Sequence, residues 1–126
     1  MQIARSFDDG IQTFSYIVSN QGTGPALIKY VKVSSDSTYI KRWADIPEFR
    51  HFSQTHINGI TLPAEHSVTP FEYKGDQFPV VMKLDEDIAI ELCYCSIYDE
   101  CWVTNKSGTT RSVEECSMEQ EQAFLQ

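Results

Sequence analysis

Three of the four cysteines in this 126-residue chain fall within one short stretch, LCYCSIYDECW (residues 92–102), and Cys116 follows fourteen residues later. Sulfur at this density can ligate a metal, exchange electrons or staple the backbone. The spacing C-x-C-x5-C-x14-C lacks the paired C-x2-C knuckles of structural zinc sites. His51, His56 and His66 lie far upstream. Blue copper would need a histidine and a methionine closely spaced with the cysteine near the C-terminus, and no histidine follows these cysteines. Thiol redox catalysis favours C-x-x-C at a helix start, where the thiolate is stabilised, whereas Cys93-Tyr94-Cys95 reads as the middle of a strand.

Strand parity favours the staple. If Leu92 and Tyr94 point into a core, Cys93 and Cys95 point the opposite way. A turn centred on Tyr98 then sets Tyr94 against Trp102 on the buried side, an aromatic cross-strand pair. On the other side Cys95 faces Cys101 and Cys93 faces Val103. Opposed residues at a non-hydrogen-bonded site have Cα atoms about 4.5 Å apart, within disulfide reach. In an oxidising compartment the expectation is a Cys95–Cys101 bond; Cys93 and Cys116 read either as small buried hydrophobes or as members of a linkage the sequence leaves open. A two-residue loop would instead oppose Cys101 to Ser96 and spoil the pairing. A metal- or thiol-based sensor built on Cys93, Cys95 and Cys101 is the alternative reading.

Other chemistry-bearing residues fit ordinary surface roles. Asp85-Glu86-Asp87 reads as a solvated hairpin tip, because calcium sites gather oxygen ligands from several segments. His51 and His56 read as a surface pair. No G-x-S-x-G elbow marks a nucleophile. Gly22 and Gly24 lead into Pro25 and a strand rather than a helix N-terminus that would cradle phosphate. Asn105-Lys106-Ser107 is a formal glycosylation sequon. No cofactor is expected. Trp43, Phe49 and Phe52 read first as satellite core; exposed together, they would be the best candidate partner surface.

The net charge of −8, from 18 acidic and 10 basic residues, repels nucleic acid and anionic membranes. No apolar run approaches the roughly 20 residues needed to span a bilayer, and Met1–Gly10 lacks the apolar region of a signal peptide. The chain is therefore expected to be cytosolic or the mature part of a longer one, with an unidentified protein as its possible partner.

The elements that must position these residues read as strands. Residues 11–19, 26–33, 57–62, 66–73, 78–84, 88–94 and 102–105 show period-two or β-branched patterns between Gly, Pro and Asn turns. The broken alternation near Tyr30–Val31 suggests a bulge or burial on both faces. Helix is expected only at Pro47–Gln54, with proline in the first turn, and from Ser112, where Ser-x-x-Glu forms a capping box. The whole predicts an all-β antiparallel sandwich or barrel of about seven or eight strands over residues 1–112. Residues 113–126 follow as an acidic tail or short helix.

Two stretches carry a family resemblance. FSYIVSNQGTGPALIKYVKV resembles the opening hairpin of immunoglobulin-like modules. CYCSIYDECW is similar to a motif of uncharacterised bacterial proteins that carry such a domain, often after N-terminal membrane helices. The resemblance spans residues 11–34 and 57–105. It implies a non-enzymatic interaction or structural module in the periplasm or outside the cell, and it brings no catalytic residue. A hydrolase or sugar-binding domain with a pocket in its loops is neither supported nor excluded by the residues.

Overall fold

Two antiparallel sheets form where the alternating segments hide their apolar faces against one another. The computed structural model describes residues 1–49, 51–119 and 122–125. Its strands are β1 (Gln2–Asp8), β2 (Thr13–Ser19), β3 (Ala26–Ser35), β4 (Thr38–Ile40), β5 (Phe52–Gln54), β6 (Thr61–Leu62), β7 (Ser67–Lys74), β8 (Ile88–Cys95), β9 (Cys101–Asn105) and β10 (Thr110–Val113). One sheet runs β1-β2-β7-β5; the other runs β10-β9-β8-β3-β4, with β6 also on β3. Seven of these strands have four residues or more, and β4, β5 and β6 are short additions. The all-β sandwich read from the sequence is the observed architecture.

The core takes one face from each sheet. Phe14, Tyr16, Val18 and Phe71 come from the first sheet and Val31, Val33, Ile90 and Leu92 from the second. Trp43 sits among them, with Tyr16, Phe49, Phe71 and Phe124 rings at centroid distances of 5.7, 6.3, 5.0 and 4.8 Å. The register of β3 against β8 slips between Ile28 and Tyr30. That bulge keeps Ile28 and Val31 in the core while Tyr30 turns to the opposite face, as the broken alternation suggested.

Three local expectations are corrected. Phe78–Asp85 is a helix, α1, and not a strand. Its apolar run fits both periods: Phe78, Val80, Met82 and Leu84 share a strand face, but Phe78, Val81 and Met82 share a helix face. Pro79 decides between them, since it suits a first helical turn and cannot donate to a ladder. Phe78 and Val81 are accordingly buried, while Val80 is exposed. Second, the 47–54 segment holds a turn and β5 rather than a helix; a short 3-10 turn lies earlier, at Trp43–Asp45. Third, Ser112 lies inside β10, pairing with Trp102, so the capping box starts no helix there.

The boundary drawn at residue 112 thus falls within a strand. Beyond it the chain is held at two points: Cys116 is bonded to Cys93, and Phe124 is 1% exposed in the main core. The Phe124 N–H donates to the Val31 carbonyl at 3.1 Å and the Leu125 N–H to Lys41 at 2.7 Å. The Phe124 bond falls on the edge of β3 between the stretches paired by β6 and β4. Gln120, Glu121 and Gln126 lie outside the described residues.

Asp85, read as a hairpin-tip residue, ends α1 and is only 2% exposed. A carboxylate at a helix C-terminus opposes the dipole, so its burial requires partners. The Tyr16 hydroxyl donates to it at 2.6 Å and Lys106 Nζ at 2.9 Å, and Arg5 closes an ion pair on its other oxygen. Lys106 also donates to the Asp85 carbonyl at 2.6 Å. Burial alone would raise the Asp85 pKa, but the donors from Tyr16, Lys106 and Arg5 outweigh it and hold it below its ordinary value. Burial, and the carboxylate beside it, push the Tyr16 hydroxyl far above its own. This anchor ties β1, β2, α1 and the β9–β10 turn together.

A group whose folded pKa is depressed stabilises the fold above its unfolded value, near pH 4, and that contribution is lost as pH falls through the folded value. Asp85→Asn should therefore cost roughly 3 kcal/mol at pH 7, the scale of a broken buried pair. It should also flatten the acid side of the stability curve. Urea denaturation at pH 7 and pH 3 checks this; an unchanged acid loss in the variant would count against the anchor.

Candidate binding cleft at the cysteine hairpin

The β8–β9 hairpin adopts the register that parity required. Tyr94 pairs with Trp102, Cys95 with Cys101 and Cys93 with Val103. Its tip is a three-residue loop: Asp99 N–H donates to the Ser96 carbonyl at 3.1 Å, Ser96 N–H to Glu100 at 2.8 Å, and Asp99 takes φ 62°. A tight turn followed by one left-handed residue is a common solution for loops of this length, and Asp tolerates that conformation. The Ser96 hydroxyl accepts from the Tyr98 and Glu100 N–H groups at 3.1 and 3.3 Å, which fixes the turn further.

Cys95 and Cys101 have Cα atoms 4.0 Å apart and are joined, as expected. Cys93 and Cys116 are also joined, with Cα atoms 5.8 Å apart, so neither is a free hydrophobe. Once Cys95 and Cys101 are paired, the even cysteine count leaves these two for each other; the missing information was where the tail would lie. It lies over the outer face of the second sheet, where Val113, Cys116 and Met118 pack on Tyr30, Cys93 and Val103. By chain entropy the 23-residue separation makes Cys93–Cys116 worth roughly 3.5 kcal/mol, against about 2 for the separation of six.

The inward face of the hairpin is different. Leu92 is fully buried, but Tyr94, one step further along that face, is only half covered, as is Trp102. The two rings stack on each other at 5.6 Å and line a cleft of about 620 Å³. Met1, the Gly22–Ala26 turn and the hairpin tip form its walls. Ile97 and Tyr98 stand at its mouth, 60% and 79% exposed. Burial raises the Tyr94 hydroxyl pKa, so it remains a neutral donor.

Asn20 holds the far wall. Its side-chain amide donates to Gly24 and Leu62 carbonyls, both at 2.9 Å, and its side-chain oxygen accepts from Gly22 N–H at 3.0 Å. Its backbone joins His66 and Glu65 at 2.9 and 2.8 Å. One buried asparagine therefore locks the β2–β3 turn to the β6–β7 turn.

The proposed aromatic partner surface is not formed. Trp43 and Phe49 are 1% and 3% exposed within the main core, and Phe52 is half-buried with its ring 5.4 Å from Phe71. The sequence reading missed the exposed set instead, although Ile97 and Tyr98 at a turn centre were a visible signal. A second cleft, of about 770 Å³, includes Arg5, Asp85 and Lys106, whose charges already satisfy one another. No family model, curated protein or solved structure matches the chain. The class defined here is an all-β sandwich with a doubly bonded hairpin; no helix among the described residues is long and apolar enough to cross a membrane.

Asn20→Ala removes three side-chain hydrogen bonds and leaves buried backbone groups unpaired. It should cost about 2–3 kcal/mol, measured by urea denaturation, and speed hydrogen exchange at Gly22 and Glu65. A loss under about 0.5 kcal/mol, the range of ordinary surface substitutions, would remove Asn20 from this role.

Proposed function

We propose that the chain is a non-enzymatic, immunoglobulin-like binding module that works outside the cytoplasm and holds a partner polypeptide at the hairpin cleft. The half-covered Tyr94–Trp102 pair, with Tyr98 and Ile97 exposed beside it, carries this reading. Aromatic side chains at the centre of a pocket contribute a large share of binding energy. The cleft volume lies in the range that takes a few side chains or a small ligand, about 300–1,000 Å³.

The occupant favoured is an apolar or aromatic side chain next to a lysine or arginine. The rings supply the apolar contact, and Asp99 and Glu100, exposed beside Tyr98, supply the counter-charge. The net charge of −8 steers a basic partner in the same sense. Two cysteine pairs at bonding distance support an oxidising compartment, the setting of the bacterial proteins whose hairpin motif this one resembles. Asp85, the perturbed carboxylate, is committed to three donors and anchors the fold.

Selection of displayed peptides on the full chain tests the reading. Enriched peptides should combine Trp, Phe or Leu with Lys or Arg. Tyr98→Ala and Trp102→Ala should each weaken them at least tenfold, with circular dichroism unchanged for Tyr98→Ala. Failure to enrich, or binding indifferent to both substitutions, would contradict it.

A further inference from the structure

The two disulfides come together on the outer face of the second sheet, where Cys116, bonded to Cys93, approaches the Cys95–Cys101 pair. Cys95 Sγ and Cys116 Sγ, which belong to different disulfides, are 3.7 Å apart. The Sγ atoms of Cys95, Cys101 and Cys116 all lie within 4.8 Å of one another, and Cys93 Sγ is bonded to that of Cys116. A zinc ion bound tetrahedrally by thiolates at about 2.3 Å sets its sulfurs about 3.8 Å apart. One edge of such a tetrahedron therefore already has the right length.

From this geometry we infer that the reduced chain holds one Zn²⁺ on Cys93, Cys95, Cys101 and Cys116. The site goes beyond the cleft reading and shares only Cys95 with the cleft lining. Each disulfide takes two electrons and two protons from a dithiol reductant, which closes to its own cyclic disulfide; two equivalents yield four thiols. Zn²⁺ then displaces four protons to solvent as four S–H bonds break and four Zn–S bonds form. Once reduced, the formerly bonded sulfurs must part to the tetrahedral edge, a movement within reach of χ1 rotation about staggered wells.

The scaffold is suited to the exchange. Cys93, Cys95 and Cys101 stand on two paired strands, so three ligands keep fixed positions, and Cys116 closes the site from the covering tail. The main aromatic core contains none of the four cysteines and lies on the opposite face of the sheet, so their reduction removes no contact within it. Tyr30, Val103, Val113 and Met118 pack with Cys93 and Cys116 and limit water on that side of the site. Thiolate ligands in a closed tetrahedral set favour zinc among common divalent ions. Oxidation to the two disulfides removes every ligand, so metal and disulfides exclude each other.

The full chain, reduced and kept anaerobic, is titrated with Zn²⁺ against a chromophoric chelator and, separately, with Co²⁺. The expected results are one zinc per chain, the visible bands of tetrahedral tetrathiolate cobalt, and zinc loss on reoxidation. Cys116→Ser and Cys93→Ser should each weaken zinc binding at least a hundredfold and shift the cobalt spectrum. The oxidised protein, with every thiol blocked by its disulfide, should bind none. Absence of binding by the reduced wild type, a spectrum unchanged by Cys116→Ser, or loss of the native circular dichroism on reduction would each overturn the proposal. Peptide binding at the cleft, assayed in the oxidised protein, stands or falls independently.

Discussion

In a strand, moving the pairing by one residue sends every side chain to the opposite face. The cross-strand contact of Cys95 with Cys101, Cα to Cα 4.0 Å, is therefore the constraint on which this end of the sandwich depends. With that pair opposed, Tyr94 and Trp102 must stack on the inward side and Cys93 must lie outward beside Val103. The inward pair makes the cleft, and the outward cysteine receives the C-terminal segment through Cys116. A single step of slippage would place sulfurs in the cleft and aromatic rings under the tail.

The rest of the molecule makes that constraint affordable to break. The main core, built around Trp43, Phe14, Tyr16 and Phe71, contains no sulfur bridge. Across the molecule, the Asp85 anchor joins four elements through charge. The disulfides thus govern where the tail and the hairpin tip sit more than whether the sandwich forms.

The hairpin was legible because its information is local: alternation fixes parity, and a turn centre at Tyr98 fixes the partners. The same held for β2, β7 and β8, whose period-two patterns match their strands, and for the bulge in β3. Phe78–Leu84 misled because an apolar run broken only by Lys83 satisfies both periods, and only Pro79 favoured the helix. Ser112 offered a capping motif, yet its β9 neighbour was within pairing distance and the ladder prevailed. Contacts made across long separations were out of reach. Asp85 gave no sign of burial because its donors, Arg5, Tyr16 and Lys106, are scattered along the chain. Trp43 and Phe49 belonged to the core only because Phe124 and Phe71 come to meet them. Cys93–Cys116 likewise depended on a tail path that no local pattern encoded.

The pairing of the sulfurs can be read directly from the oxidised protein. Digestion that cuts after Tyr94 and Trp102 and at Asp99 or Glu100 places all four cysteines on different peptides. Mass spectrometry without reduction should find Cys93 linked to Cys116 and Cys95 linked to Cys101. A Cys93–Cys101 or Cys95–Cys116 linkage as the dominant species would mean a different hairpin register or tail path, and the cleft and the sulfur face would both lose their basis.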